Sequence, residues 1–274
     1  MAMAPSLTSH TKSSMENSDR YVWNKIPELT LLFWIMKITA TTLGETGGDL
    51  LAQTLNVGYA TSTIIFFAFF LVAVTAQLFS TRYIPSIYWA VIVATSTAGT
   101  TMSDYMDRTL SLGYATGSLI LISILITILI IWRLTEKSLS VTEIQSRRGE
   151  IFYWVAILFS NTLGTALGDF LADDSGLGFG GSALLISVVL LLVILAYFFT
   201  RISRVILFWI AFVLTRPFGA TFGDLLTKPH EKGGMGYGTE GASVILFAML
   251  VGFVIYESVR HKKEATKTVT AFAD

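Results

Sequence analysis

One acidic residue recurs at the same register in four copies of an apolar two-span unit. No other feature constrains the fold as strongly. The copies read Gly44-x4-Asp49, Gly99-x4-Asp104, Gly164-x4-Asp169 and Gly219-x4-Asp224. Asp49 and Asp104 are 55 residues apart, as are Asp169 and Asp224, and the halves are offset by 120 residues. A small residue precedes each acid: Gly48, Ser103, Gly168 or Gly223. A second mark follows it, Gly58-Tyr59, Gly113-Tyr114, Gly178-Phe179 and Gly236-Tyr237, with a longer gap in the last copy. A carboxylate beside a membrane-length apolar run is costly, so four in register predict one shared site.

The chain is 53% hydrophobic and 14% charged, against about 25% charged for a soluble domain. Eight apolar runs approach the ~20 residues needed to cross a bilayer. They lie near 27–48, 57–79, 84–105, 112–133, 150–171, 179–200, 204–226 and 238–257. Lipid requires the backbone to be paired within each segment, which makes them helices. The expected fold is all-α: a polytopic membrane protein of eight transmembrane helices built from four parallel two-helix repeats. The repeats fall at about 27–80, 84–133, 150–200 and 204–257, inside a membrane domain of 27–260. Residues 1–26 read as a disordered cytoplasmic tail without signal-peptide features, and 261–274 as a second tail. Fourteen basic residues lie on one side of the spans and three, Arg108, Lys228 and Lys232, on the other. That asymmetry puts both termini in the cytoplasm and the Asp-bearing turns outward.

Nineteen basic and nineteen acidic residues cancel, leaving no basic surplus for nucleic acid. Without Cys there are no disulfides and no thiolate metal sites. Eight residues before each Asp stand Thr41, Ser96, Asn161 and Arg216. Thr41, Glu45 and Asp49 share one helical face, which Lys37 extends a turn deeper. Lys37 and Arg216 are expected to pair with carboxylates of other repeats. Five acids and two bases leave this belt at minus three, a charge that calls for a bound cation or protons. Oxygen donors suit hard ions such as magnesium or manganese. The expected metal ligands are Asp49, Asp104, Asp169, Asp224 and Glu45, with Glu240 a further candidate at the start of the last helix. Thr41, Ser96, Asn161, Lys37 and Arg216 line the rest of the path. No resident cofactor is expected, the divalent cation being substrate. Glu45 occurs only in the first repeat and is read as a proton carrier. Asp107, Asp173 and Asp174 are expected to face water.

The Gly-x3-small pattern before each Asp predicts close helix contact. The six Trp are expected to anchor the membrane interface. The fourfold form, with matching stretches Lys37 to Asp49, Ser96 to Asp104, Asn161 to Asp169 and Arg216 to Asp224, resembles a bacterial repeat family of unknown function. Its members are described as uncharacterised membrane-anchored proteins. The resemblance implies an integral membrane protein of repeated hairpins and no particular activity; the expected location is the bacterial inner membrane.

The leading expectation is a cation transporter, proton-coupled, with the lipid bilayer and the ion as partners and a homo-oligomer as one assembly. Two other readings compete. An intramembrane enzyme would use a close carboxylate pair, Asp49 with Asp169 or Asp104 with Asp224. A structural or sensory protein would fill the belt with salt bridges and leave no cavity.

Overall fold

The structure, a computed structural model, describes residues 25–141, 144 and 146–271. The tail expected at 1–26 lies outside it except for Lys25 and Ile26, which are buried. Helix boundaries follow local chemistry. Thr30 caps the first helix by accepting from the Phe33 N–H at 3.4 Å. Pro85 occupies the first turn of the third, where a missing N–H costs nothing. Ser146 caps the fifth through the Gly149 N–H at 2.9 Å. The described residues form eight long helices: α1 Leu31–Asp49, α2 Tyr59–Phe79, α3 Pro85–Asp104, α4 Tyr114–Glu136, α5 Arg147–Asp169, α6 Gly178–Phe199, α7 Arg204–Thr227 and α8 Thr239–Ala271. The architecture is all-α with two helices per repeat, and α8 continues beyond the expected end at 257.

The odd helices form a closed ring. α1 packs on α3, α3 on α5, α5 on α7, and α7 returns to α1. Because each repeat makes two passes, these four helices run parallel. The even helices lie outside: α2 on α3, α4 on α5, α6 on α7 and α8 on α1. The hairpin of the sequence is therefore not the packing unit, since each even helix rests on the odd helix of the following repeat. The connection explains this. After Asp49, Asp104 and Asp169 the helix widens into one π turn, Leu50–Thr54, Tyr105–Thr109 and Phe170–Asp174. Left-handed residues follow at Asn56, Ser111 and Gly176, then at Gly58, Gly113 and Gly178. Together they carry the chain sideways over its neighbour.

Glycine sets the ring diameter. Gly44 faces Ser96, Gly99 faces Asn161, Gly164 faces Arg216 and Gly219 faces Thr41. Each repeat thus offers a Cβ-free surface to the residue that precedes the next repeat's Asp by eight positions. The close contact expected from the Gly-x3-small pattern is present at all four interfaces.

Among the described residues, α2, α4, α5, α6, α7 and α8 are long and apolar enough to cross a membrane. α1 and α3 are not in that set. Each carries four Thr and is enclosed by its neighbours. The outward faces of the even helices expose Ile64, Val72, Leu119, Leu184 and Val244, an apolar surface continuous with what a bilayer would cover.

The Trp residues depart from expectation. Trp89, Trp132, Trp154 and Trp209 are buried, Trp34 is half-buried, and Trp23 lies outside the described residues. Four of them sit fifteen residues before an Asp, each preceded by an aromatic: Phe33-Trp34, Tyr88-Trp89, Tyr153-Trp154 and Phe208-Trp209. Phe33 packs on Trp89 (5.8 Å between ring centroids), Tyr88 on Trp154 (5.4 Å) and Phe208 on Trp34 (5.9 Å). The Tyr88 and Tyr153 hydroxyls meet at 2.6 Å. This girdle closes the end of the ring opposite the acids, about 24 Å away at 1.5 Å per residue. Glu257 pins α8 to it by accepting from Tyr83 Oη and Trp89 Nε1, both at 2.8 Å.

A Cβ added at Gly219 would stand 2.8 Å from the backbone carbonyl carbon of Thr41, whereas one at Gly252 would meet nothing within 4 Å. Gly219→Ala should lower stability in thermal unfolding by about 1–3 kcal/mol, as overpacking does. Gly252→Ala should leave the melting temperature unchanged or raise it.

Candidate functional site: an acidic ring at four helix C-termini

The parallel ring brings the C-terminal ends of α1, α3, α5 and α7 to one place, each carrying about −0.5 charge from its peptide dipoles. Asp49, Asp104 and Asp169 sit one π turn before the helical winding stops and Asp224 three residues before the end of α7, and all four are 2–3% exposed. Asp104 is within electrostatic reach of Asp49, Glu45 and Asp224, and Asp169 of Asp104, Glu45 and Asp49. Acids at helix C-termini repel both one another and the dipoles, so the arrangement requires positive charge.

Part of it comes from the position four residues after each Asp, held by Gln53, Arg108, Asp173 and Lys228. Arg108 Nε lies 3.0 Å from Asp104 Oδ1 and its Nη2 lies 3.3 Å from Asp169 Oδ2. Lys228 Nζ lies 2.5 Å from Asp49 Oδ2 and 3.3 Å from Asp224 Oδ1. Gln53 donates from Nε2 to Asp49 Oδ1. Each cation bridges its own repeat's Asp to that of the next, which reduces fourfold repetition to a twofold pattern. The bridged pairs are ring neighbours, not the diagonal pairs Asp49 with Asp169 or Asp104 with Asp224. Sequence reasoning counted Arg108 and Lys228 only for orientation; their spacing from Asp was the available signal. With them the belt holds five acids and four bases, one negative charge instead of three. Burial alone would weaken the Lys228 ammonium, but Asp224 and Asp49 outweigh it and hold its pKa above the ordinary lysine value. Lys228 therefore stays charged at neutral pH.

Below the ring, two cations cross the axis. Arg216 on α7 reaches Glu45 Oε2 (3.1 Å) on α1, and Ser96 O (3.4 Å) and Thr100 Oγ1 on the diagonal helix α3. Glu45 is thus the expected partner from another repeat. Lys37 differs: its Nζ donates to Asn161 Oδ1 at 3.4 Å and stands 4.1 Å above the Phe212 ring. Among the described residues no carboxylate holds it; an amide and a π face do. Asn161 Nδ2 in turn donates to Thr95 Oγ1 at 2.9 Å. Thr41 Oγ1 donates to Thr215 O at 3.1 Å and serves the α1–α7 contact, while Ser96 Oγ lies against Gly44.

Among the described residues, Glu45, Asp49 and Asp224 form a group of buried acids able to share one ion, with one oxygen from each within 4.8 Å of the others. Above them opens a vestibule of ≈ 520 Å³ whose wall includes Gln53, Asp224, Lys228, Lys232 and Glu240. Glu240 is exposed there and stands apart from the three-acid group. Its placement follows from the last repeat, where α7 has no π turn and a longer loop follows. The Ala242 N–H bonds to Gly238 O as Ser62 bonds to Gly58 and Gly117 to Gly113. Gly238, not Gly236, is the counterpart of Gly58, so Ala242 takes the position held by Ser62 and Glu240 falls two residues, about half a turn, short of it. Asp107 also departs from expectation. It is buried, accepts from Ser103 Oγ at 3.3 Å, and fills the space left by Gly117. Asp173 and Asp174 are exposed as expected.

The sequence matches the family described as Repeat of Unknown Function (DUF347) at residues 32–83, 87–138, 152–203 and 207–263. Each match covers one odd helix and the even helix that follows. No curated protein and no solved structure matches the chain.

Glu45→Gln would leave the Arg216 guanidinium buried without its counter-charge, which costs about 3–5 kcal/mol when a buried pair is broken. Glu45→Gln combined with Arg216→Met should recover most of that loss in thermal unfolding. Simple addition of the two single effects would contradict the pairing.

Proposed function

The chain belongs to the DUF347 repeat family, and for this member we propose cation transport across a membrane. The six long apolar helices and the apolar outer surface supply the membrane-embedded body. In this reading all eight helices span, α1 and α3 being sheltered from lipid by the others. Both termini are cytoplasmic, the membrane is a bacterial inner membrane, and the acidic ring faces outward.

The observation that carries the proposal is the group Glu45, Asp49 and Asp224, buried at the negative ends of parallel helices beneath an open vestibule. Its all-oxygen donors favour a hard divalent ion, manganese or magnesium. Arg216 and Lys37 cross the axis below it, and the aromatic girdle closes the far end. A cation can therefore reach the ring from one side while passage beyond it stays blocked. That is the behaviour of a carrier in one of its two states, not of an open pore. Onward passage requires the Arg216–Glu45 bridge and the Tyr88–Tyr153 contact to part, and proton uptake by Glu45 is one way to release Arg216.

A second reading has specific support. Salt bridges engage Asp49, Asp104, Asp169, Asp224 and Glu45, as a purely structural belt would require. Flux separates the two. In vesicles containing the purified protein, manganese uptake should fall at least about tenfold in Asp49→Asn and Asp224→Asn, since even indirect supports of a metal ligand are worth 10–100-fold. Wild-type uptake by all four Asp→Asn variants would reject transport through the ring and favour the structural reading.

A further inference from the structure

We infer that Lys228 is a tethered stand-in for the transported cation, which the incoming ion must displace; this rests on the transport reading above. Three observations carry it. First, the Lys228 ammonium already engages two of the three acids that could share an ion. It contacts Asp49 Oδ2 (2.5 Å) and Asp224 Oδ1 (3.3 Å), two members of the three-acid group, and Gln53 Oε1 at 3.4 Å. Second, it lies on the approach. Its side chain is 16% exposed on the vestibule wall, against 3% and 5% for the two carboxylates beneath it. Lys228 and Asp224 both line the vestibule, Lys228 being the more exposed, and Asp49 lies behind them.

Third, Lys228 is mounted differently from its counterpart. Arg108 projects from the π turn Tyr105–Thr109, continuous with α3. Lys228 follows the last residue of α7 and has extended backbone (φ −68°, ψ 151°). The loop behind it is docked independently of the ammonium: Met235 N–H bonds to Leu225 O, and Gly236 N–H to Lys228 O. The side chain can swing into the cavity while the loop stays in place. An ammonium on a flexible stem also exchanges more readily than a guanidinium fixed between two carboxylates.

The stand-in has a function in a carrier. Empty acids facing one another would have to take up protons or leave the axis. With Lys228 on them, the ion-free ring remains assembled and nearly neutral. Displacement by a divalent ion then couples loading to a change in charge at the mouth of the site.

The test is manganese titration of the purified protein, with free ion followed by electron paramagnetic resonance. Lys228→Met should bind manganese at least about tenfold more tightly than wild type, a difference of about 1.4 kcal/mol. Lys232→Met, which removes a vestibule charge that contacts none of the ring acids, should change affinity less than about twofold, distinguishing a displaced occupant from a general field. Lys228→Arg keeps a cation on the same acids and should bind no more tightly than wild type. This variant tests the idea even if Lys228→Met fails to fold. Unchanged or weaker binding by folded Lys228→Met, or tighter binding by Lys228→Arg, overturns the inference while wild-type binding and flux leave the transport reading intact. Absence of binding and flux in every folded variant, wild type included, overturns both.

Discussion

Close approach of four parallel helices across glycine is the contact on which everything else in this protein depends. Gly44, Gly164 and Gly219 each admit a residue from the next repeat where a Cβ would collide with it, and Gly99 admits one where a Cβ would be tightly pressed. That contact, repeated until it returns to α1, closes the ring. A parallel ring has a consequence that an antiparallel bundle avoids: all four helix dipoles point the same way. The negative ends coincide, and the chain places carboxylates there as well. Arg108 and Lys228 are the internal answer to that field, and the proposed substrate is the external one.

The same geometry grades the axis. At the acidic end, oxygen atoms face an open vestibule. One turn deeper, Glu45 neutralises Arg216. Two turns beyond, Lys37 shares its layer with Ile92, Ile157 and Phe212, all fully buried. The Tyr88–Tyr153 layer and its Trp neighbours complete the closure. Charge decreases and apolar bulk increases with depth, so the cost of an unescorted ion rises toward the closed end.

Much of this was legible in the sequence because repetition amplifies weak signals. A single Gly-x4-Asp says little, whereas four in register located the acids, the helix ends and the close contacts. Helix boundaries mostly fell within a few residues because the apolar runs end at the Asp register and resume at Gly58, Gly113 and Gly178. The packing partners were not legible. Sequence adjacency suggested hairpins, and only the left-handed connection after each Asp shows that an even helix covers the following repeat. Long side chains were the other gap. Arg108 and Lys228 follow Asp104 and Asp224 by four residues, which signals the pairing within each repeat, but their reach to the Asp of the next repeat depends on the ring and was not legible. The aromatic pairs were visible at a fixed distance from Asp but were read by the habit of Trp at interfaces, when their register with the ring already tied them to the axis.

The central claim is that the converging acids hold a cation at the mouth of a closed axis. The most direct measurement is anomalous X-ray diffraction at the manganese edge from crystals of the protein grown with manganese. The account expects a peak within coordinating distance of Glu45, Asp49 and Asp224, with the Lys228 side chain turned into the vestibule. Peaks confined to the exposed acids Asp173, Asp174 and Glu231, with Lys228 still seated on Asp49, would contradict it.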